Sequence, residues 1–133
     1  MLKAAGIQIH GTPDKAKNLE KAERLARIAA EKGARLIGFP ELFATPWFPA
    51  DIRAENFSLA EEIPGPTAET MQGLARELGA VLVLPLFEKG EKGRYFNTAL
   101  VVDANGEIAG KYRKIHVPQI PLWEEKAYFS PGD

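Results

Sequence analysis

The sequence predicts a single α/β domain, because short apolar segments alternate with two amphipathic helical patterns before a closing hairpin pattern. The predicted order of elements is β-α-β-loop-α-β-β-β, with two helices and five or six strands. The chain has 133 residues, which is fewer than the roughly 150 of a typical domain. No internal repeat or linker divides it, so residues 1–133 are expected to form one unit.

The first half of the chain contains two predicted strands and a helix. Residues 2–9 form a short apolar segment that is typical of a buried strand. In residues 14–32, apolar side chains recur at steps of three and four with charged residues between them, which predicts a helix, and Gly33 follows as its left-handed cap. Residues 35–39 predict a second strand, which Pro40 ends.

The second half begins with residues 42–64, an irregular segment rich in large apolar side chains. Long loops of this kind in compact domains are often functional. Residues 66–78 predict a second helix and residues 80–87 a strongly apolar strand. Residues 95–102 and 107–113 then predict a hairpin, because a turn sequence with Asp, Asn and Gly separates two strand-like runs.

The composition excludes several classes of function. The sequence has 17 Lys and Arg residues against 18 Asp and Glu, a net charge of −1, so it lacks the electrostatic footprint of a protein that binds nucleic acid or anionic membranes. It contains no cysteine, which excludes disulfides, cysteine-based zinc sites and thiol redox motifs within it. It has no apolar run long enough to span a membrane. We expect a cytoplasmic protein that binds neither nucleic acid nor membrane.

Glu41 and Lys114 are the side chains whose positions best suit chemistry. Glu41 follows an apolar strand, and ligand sites in α/β folds form at the carboxyl ends of strands. A partly desolvated carboxylate there can act as a general base, while the alternative is an ordinary solvated glutamate. Lys114 at a strand end can stabilise an oxyanion, while the alternative is a basic edge strand that prevents aggregation. Strand alternation predicts one face with Tyr112, Lys114 and His116 and another with Lys111, Arg113 and Ile115.

Three aromatic residues are candidates for contact with a substrate. Trp47, Phe48 and Trp123 can line a pocket for an apolar or flat group, or they can close an edge of the core. A metal site is not expected, because His10 and His116 show no ligand spacing on one element. Since glycine-rich phosphate loops are also absent, we expect no cofactor.

Three ordered motifs resemble those of the nitrilase superfamily, the carbon–nitrogen hydrolases. Residues 39–43, FPELF, resemble the first signature of this family, and residues 112–118, YRKIHVP, resemble the second. Residues 125–133 are similar to the segment that follows in its amidase and carbamoylase branch. Residues 95–98 and the turn at 103–106 also fit. The resemblance therefore covers essentially the whole chain.

This resemblance implies both a fold and a mechanism. The fold would be the first half of a four-layer α-β-β-α sandwich. Glu41 would be the general base, Lys114 would stabilise the tetrahedral oxyanion, and Glu125 would orient the substrate and the lysine. Family members attack the substrate with a cysteine that lies beyond these motifs, whereas this sequence has none. The chain would therefore supply the Glu and Lys of a Cys-Glu-Lys mechanism, but not the Cys.

Two explanations fit the missing cysteine. The chain is a fragment or one piece of a split enzyme, or it is a short, non-catalytic module that keeps half of the pocket and binds a partner chain. Both predict that the isolated chain does not hydrolyse amides. Residues 45–49 resemble the loop of carbamoylases, which favours an N-carbamoyl amine or a linear amide as the substrate. Because half a sandwich exposes apolar sheet, we expect a homo-oligomer or a complementary C-terminal segment.

Overall fold

The computed structural model describes all residues 1–133 and confirms the predicted order of helices and strands. The two helices are α1 and α2, and the five strands are β1 to β5. Their bounds are β1 Ala4–Gly6, α1 Lys15–Glu31, β2 Leu36–Gly38, α2 Pro66–Leu78, β3 Val81–Lys89, β4 Tyr95–Val102 and β5 Ile108–Arg113. Four short 3-10 helices lie between or after them, at Phe48–Ala50, Ala54–Leu59, Glu91–Gly93 and Glu125–Ala127. Neither α1 nor α2 is long and apolar enough to cross a membrane.

All five strands form one sheet, in the order β1-β2-β3-β4-β5. The first three strands are parallel, and a helix connects each of them to the next. The last three are antiparallel, and short turns suffice there because antiparallel neighbours need no crossover. Because the chain moves across the sheet in one direction, right-handed crossovers place α1 and α2 on the same face. An ion pair between Arg27 on α1 and Glu77 on α2, with an N–O distance of 2.7 Å, joins the two helices side by side.

The main core lies between this helical face and the sheet. Helix α1 contributes small side chains, and Ala22 and Ala26 are fully buried, which lets the helix approach the strands closely. The sheet contributes larger ones, among them Ile37, Leu82 and Leu84, which are also fully buried. Burying an aliphatic side chain of this size stabilises the fold by about 1.5–3 kcal/mol.

The opposite face of the sheet is covered unevenly. At one end, a second apolar cluster of Leu42, Phe48, Phe87, Tyr128 and Phe129 is formed by loop residues and the end of β3. Further along, the side chains of Val81, Val83 and Val101 are only half-buried. Both helices lie on the other side of the sheet. This asymmetry matches the first half of a four-layer sandwich, as predicted.

The strand bounds differ from the predicted ones. The apolar run at residues 2–9 forms a strand only at Ala4–Gly6, and the run at 35–39 only at Leu36–Gly38. Strand β1 has a partner on one side alone, and its pairing with the β2 segment extends only one residue past each end, from the amide of Arg35 to the carbonyl oxygen of Lys3 at 2.9 Å and from the amide of Ile7 to that of Gly38 at 2.8 Å. By contrast, β3 continues two residues beyond the predicted end, through the charged pair Glu88 and Lys89. An acidic residue marks the end of a buried strand only where the fold provides no cation or hydrogen-bond donor for its carboxylate.

The partners of Glu88 explain this extension. Its side chain is 3% exposed and accepts hydrogen bonds from Arg113 at 2.6 and 2.9 Å, from Lys111 at 2.8 Å and from Thr98 at 2.6 Å. Lys111 and Arg113 therefore share the face that alternation predicts. The guanidinium of Arg113 also stacks on Phe96, 3.7 Å from the ring centroid. This cluster joins β3, β4 and β5 on the helical face of the sheet.

We expect the Glu88 cluster to make stability depend on pH in acid. Burial raises the pKa of Glu88, but the hydrogen bonds from Arg113, Lys111 and Thr98 outweigh it and lower the pKa from 4.5 to about 2. Since the folded pKa is the lower one, the stabilisation is complete above pH 4.5 and is lost as the pH falls towards 2. The loss amounts to about 3 kcal/mol at most.

Urea unfolding at a series of pH values measures this effect. Glu88→Gln is expected to lower the free energy of unfolding at pH 7 and to flatten its decline between pH 4.5 and 2. Glu107→Gln, at an exposed position beside β5, is the matched control and is expected to change neither. Equal acid declines in the wild type and Glu88→Gln would contradict this account.

Candidate active site

Glu41 lies in a tight turn just after the carboxyl end of β2. The next residue, Leu42, has a φ of 53°, a left-handed conformation that is costly for a branched side chain. Two hydrogen bonds to its carbonyl oxygen hold this turn, from the amide of Thr45 at 2.9 Å and the hydroxyl of Thr45 at 3.0 Å. Leu42 points into the second apolar cluster and is 2% exposed. The Glu41 side chain remains 43% exposed and thus accessible to a ligand.

Lys114 follows the last residue of β5 and reaches Glu41 across 73 positions of sequence. Its backbone amide donates to the carbonyl oxygen of Asn97 at 2.8 Å, which continues the pairing with β4 beyond the strand itself. Its Nζ atom donates to Oε1 of Glu41 at 3.0 Å. It also donates to both oxygens of Glu125, at 2.8 and 3.1 Å. The ammonium group thus bridges two carboxylates.

Glu125 is the buried member of this trio. It begins the 3-10 helix Glu125–Ala127 and is only 1% exposed. A carboxylate at that depth needs a cation, because its desolvation costs several kcal/mol. Burial lowers the pKa of Lys114, but hydrogen bonds to Glu125 and Glu41 outweigh it, so that the pKa lies above its usual value. Lys114 is therefore a permanent ammonium at neutral pH.

Asn97 is a fourth member of the site to which sequence reasoning gave no role. It lies on β4, is 6% exposed, and its Nδ2 donates to Oε1 of Glu41 at 2.6 Å. The sequence carried a signal: Asn97 is a polar residue inside an apolar strand, on the face opposite its neighbours Phe96 and Thr98. A buried amide needs partners, but only the fold shows that its partner is a glutamate 56 positions away.

A cleft of about 240 Å³ opens beside Glu41. Among its lining residues are His10, Gly11, Glu41, Thr45 and Trp47. A side chain at Gly11 would overlap the carbonyl group of Thr45, so glycine permits the close approach of the two loops that form the cleft. The cleft is large enough for a small linear molecule.

Buried Asn18 on α1 fixes these two loops to each other. Its Nδ2 donates to the carbonyl oxygen of Thr12 at 2.7 Å and to that of Ala44 at 3.0 Å. Its Oδ1 accepts from the amide of Thr12 at 2.8 Å. Loop residues before α1 and after Glu41 are thus held by one side chain that is 2% exposed.

The three candidate aromatic residues differ from one another in their surroundings. Trp47 lines the cleft, and its Nε1 donates to the carbonyl oxygen of Leu122 at 3.0 Å. The ring of Trp123, which is 45% exposed, lies 6.1 Å from that of Trp47. Phe48 instead is 5% exposed and stacks on Phe87 at 4.8 Å, inside the second apolar cluster. Its position corresponds to the alternative stated above, an aromatic side chain that closes an edge of the core.

The two histidines lie apart from the trio of Glu41, Lys114 and Glu125. His10 lines the cleft, whereas His116 is exposed beyond β5. No group of three or more His, Cys, Asp or Glu side chains has an arrangement that could hold a metal ion. Of the trio, Glu41 lines the cleft, and the ammonium of Lys114 links it to the buried carboxylate of Glu125. These three groups can accept a proton and stabilise a developing negative charge, but they include no strong nucleophile.

Residues 3–133 match the carbon–nitrogen hydrolase family, and the chain belongs to this family. It is 41% identical to an N-carbamoylputrescine amidase of Solanum lycopersicum over 134 residues, which cover 100% of this chain and 44% of that protein. A carbon–nitrogen hydrolase structure from Helicobacter pylori matches with a TM-score of 0.94 and 34% identity, over 99% of this chain and 45% of the other. An amidase structure from Nesterenkonia sp. matches with a TM-score of 0.78 and 31% identity, over 99% of this chain and 48% of the other. The chain thus spans about half the length of the relatives it matches.

The buried position of Glu125 predicts an unequal effect of two substitutions in this trio. Lys114→Met leaves Glu125 buried without its cation and is expected to cost about 3 kcal/mol of stability. Glu41→Gln removes a half-exposed carboxylate and is expected to cost less than about 1 kcal/mol. The free energies of unfolding, measured with urea at pH 7 and one protein concentration, test both values.

A double variant separates the charge effect from lost packing. In Lys114→Met/Glu125→Gln, the unpaired charge is gone, and we expect a large part of the lost stability to return. If the double variant loses as much free energy of unfolding as Lys114→Met and Glu125→Gln lose in sum, the ion pair is not what stabilises this region.

Proposed function

We propose that this chain is the acid–base part of a carbon–nitrogen hydrolase that cleaves an N-carbamoyl amine or a linear amide. The nucleophilic cysteine would come from polypeptide outside these 133 residues. One observation carries the proposal: Nζ of Lys114 lies 3.0 Å from Glu41, which lines an open cleft, and 2.8 Å from Glu125. A base, a fixed cation and a buried carboxylate are the groups that thiol-based amide hydrolysis requires in addition to the thiol.

The proposed reaction begins with proton transfer to Glu41. The carboxylate takes the proton of the thiol, and the sulfur forms a bond to the carbonyl carbon, whose C=O electron pair moves onto oxygen. Lys114 stabilises the resulting oxyanion, for which it is suited because its pKa is raised and its charge is permanent. The tetrahedral intermediate collapses, the C–N bond breaks, and the leaving nitrogen takes the proton back from Glu41.

The second half of the reaction returns the thiol. Glu41 takes a proton from water, and the hydroxide attacks the thioester carbon to give a second oxyanion beside Lys114. The C–S bond then breaks, and the thiolate recovers its proton from Glu41. Glu125 takes no part in these transfers. Its role is to hold Lys114 in place through two hydrogen bonds, at 2.8 and 3.1 Å.

Two observations support the substrate class. Trp47 lines the cleft beside Glu41, and Trp123 lies next to Trp47, so both rings can contact the substrate beyond its reacting bond. The named relatives include an N-carbamoylputrescine amidase and an amidase. Phe48 has no direct contact with substrate in this proposal, because it is buried in the second apolar cluster.

The proposed partner of the chain is a complementary segment or a second copy of the chain. The half-buried side chains of Val81, Val83 and Val101 form an apolar surface on the sheet face that carries no helix. Apolar surface of this kind favours association. We infer that the cysteine-bearing remainder of the complete enzyme covers it, with homo-oligomers as the second possibility.

A non-catalytic module is the second candidate function. The observation that favours it is the complete lack of cysteine. Such a module would retain the cleft and the Glu41–Lys114–Glu125 trio, bind a partner chain and catalyse nothing.

The intact mass of the protein from its native source, read beside the coding sequence downstream of Asp133, distinguishes the two candidates. The proposal expects a polypeptide longer than 14.6 kDa that contains a cysteine. A native mass of 14.6 kDa without a cysteine-bearing partner would leave only the non-catalytic module.

Hydrolysis assays then test the mechanism. With N-carbamoylputrescine and a linear amide as substrates, we expect ammonia release by the complete polypeptide and none by the isolated 133 residues. Glu41→Gln in the complete polypeptide is expected to lower kcat by at least about 100-fold, because it removes the general base. Release of ammonia by the isolated chain, abolished by Glu41→Gln, would overturn the requirement for an external thiol.

A further inference from the structure

The two oxygens of Glu41 have different surroundings. Oε1 accepts hydrogen bonds from Nδ2 of Asn97 at 2.6 Å and from Nζ of Lys114 at 3.0 Å, whereas Oε2 accepts none. A carboxylate oxygen has about two lone-pair sites, so one that already accepts two hydrogen bonds has no free site for a proton. The two oxygens are therefore unequal as bases.

Asn97 is more deeply buried than either Glu41 or Lys114. It lies on β4 between β3 and β5, paired with Phe87 on one side, and its carbonyl oxygen accepts from the amide of Lys114 at 2.8 Å on the other. Its side chain is 6% exposed, so its rotamer is restricted by packing. A short hydrogen bond from such a residue fixes the position of the group that accepts it.

We propose that Asn97 is a positioning residue: its hydrogen bond to Oε1 orients the Glu41 carboxylate, so that Oε2 is the oxygen that accepts and returns the proton. The role rests on the proposed function, because it concerns the same general base. Lys114 cannot provide this hold alone, since it already donates twice to Glu125 and must also stabilise an oxyanion during the reaction. When Nζ interacts with the oxyanion, Asn97 is the donor that keeps Glu41 in place.

A neutral amide is well suited to this task. A second cation on Glu41 would hold the carboxylate more strongly but would also make it a much weaker base. The amide of Asn97 fixes the geometry and adds no charge. The arrangement separates two roles: Lys114 supplies positive charge, and Asn97 supplies orientation.

The neighbouring residue Thr98 offers a matched control. It is fully buried on the same strand, and its hydroxyl donates at 2.6 Å to the carboxylate of Glu88, on the opposite face of the sheet. Thr98→Val and Asn97→Leu each replace a buried donor to a carboxylate by an apolar group of similar volume. Both are expected to lower stability by a similar amount, but only Asn97→Leu affects the proposed base.

Steady-state kinetics of the complete polypeptide test the role of Asn97. We expect Asn97→Leu to lower kcat by about 10- to 100-fold with little change in KM, because the base is misplaced while the substrate still binds. Thr98→Val is expected to keep both kcat and KM within about threefold of the wild-type values. If Asn97→Leu behaves as Thr98→Val does, Asn97 has only a structural role.

A measurement on the isolated chain keeps the inference independent of catalysis. The side-chain amide of Asn97 in a ¹⁵N-labelled sample is expected to give a downfield, slowly exchanging proton resonance, which Glu41→Leu returns to the ordinary amide region. If the resonance persists in Glu41→Leu, or is absent from the wild type, Asn97 does not form the proposed hydrogen bond to Glu41. An inactive complete polypeptide with the expected resonance would overturn the proposed function and the catalytic role, but not the contact.

Discussion

The site depends on the ion pairs that the ammonium group of Lys114 makes with two carboxylates. It donates to Glu41 at 3.0 Å and to Glu125 at 2.8 Å, and these three residues come from the turn after β2, the end of β5 and a 3-10 helix near residue 125. The three segments lie far apart in the sequence. The ion pairs hold the three segments next to one another, because a buried carboxylate such as Glu125 strongly favours the arrangement in which a cation is nearby.

Two adjacent residues of one strand end serve two different purposes. Arg113 points to the helical face, where it pairs with Glu88 and stacks on Phe96, and Lys114 points towards Glu41. The first cluster buries its carboxylate and lowers the pKa of that group to about 2, whereas the second keeps a half-exposed carboxylate beside a cleft. The same alternation of side chains across a strand thus anchors β5 on one face and presents the ammonium of Lys114 to Glu41 on the other.

Sequence reasoning predicted the helices and strands, since helical periodicity and strand alternation are local properties. It also named Glu41, Lys114 and Glu125, the last of them only through the resemblance of the motifs. The structure brings these three together, and their catalytic roles stay a prediction. Sequence reasoning could not predict the role of Asn97 or the position of Phe48. The partner of Asn97 is 56 positions away, and an aromatic residue in a loop looks the same whether it faces a cleft or a core. Strand β3 was predicted to end too early for a similar reason: Glu88 is unfavourable in a buried strand unless Arg113 and Lys111 reach it, and that depends on the register of the sheet.

The proposed function makes folding and catalysis depend on the same face of the sheet. Asn97 and the half-buried Val101 are four residues apart on β4, and both point away from the helices. Under the proposed function, a cysteine-bearing segment that covers the valines would therefore lie on the same face of the sheet as the carboxylate that accepts from Asn97. In this arrangement the apolar contact brings the thiol to the base, and Lys114 is already charged and in place before the thiol arrives. If Glu41 and Lys114 have the proposed acid–base roles, they are preorganised within these 133 residues, because their contacts with each other, with Glu125 and with Asn97 all lie inside this chain.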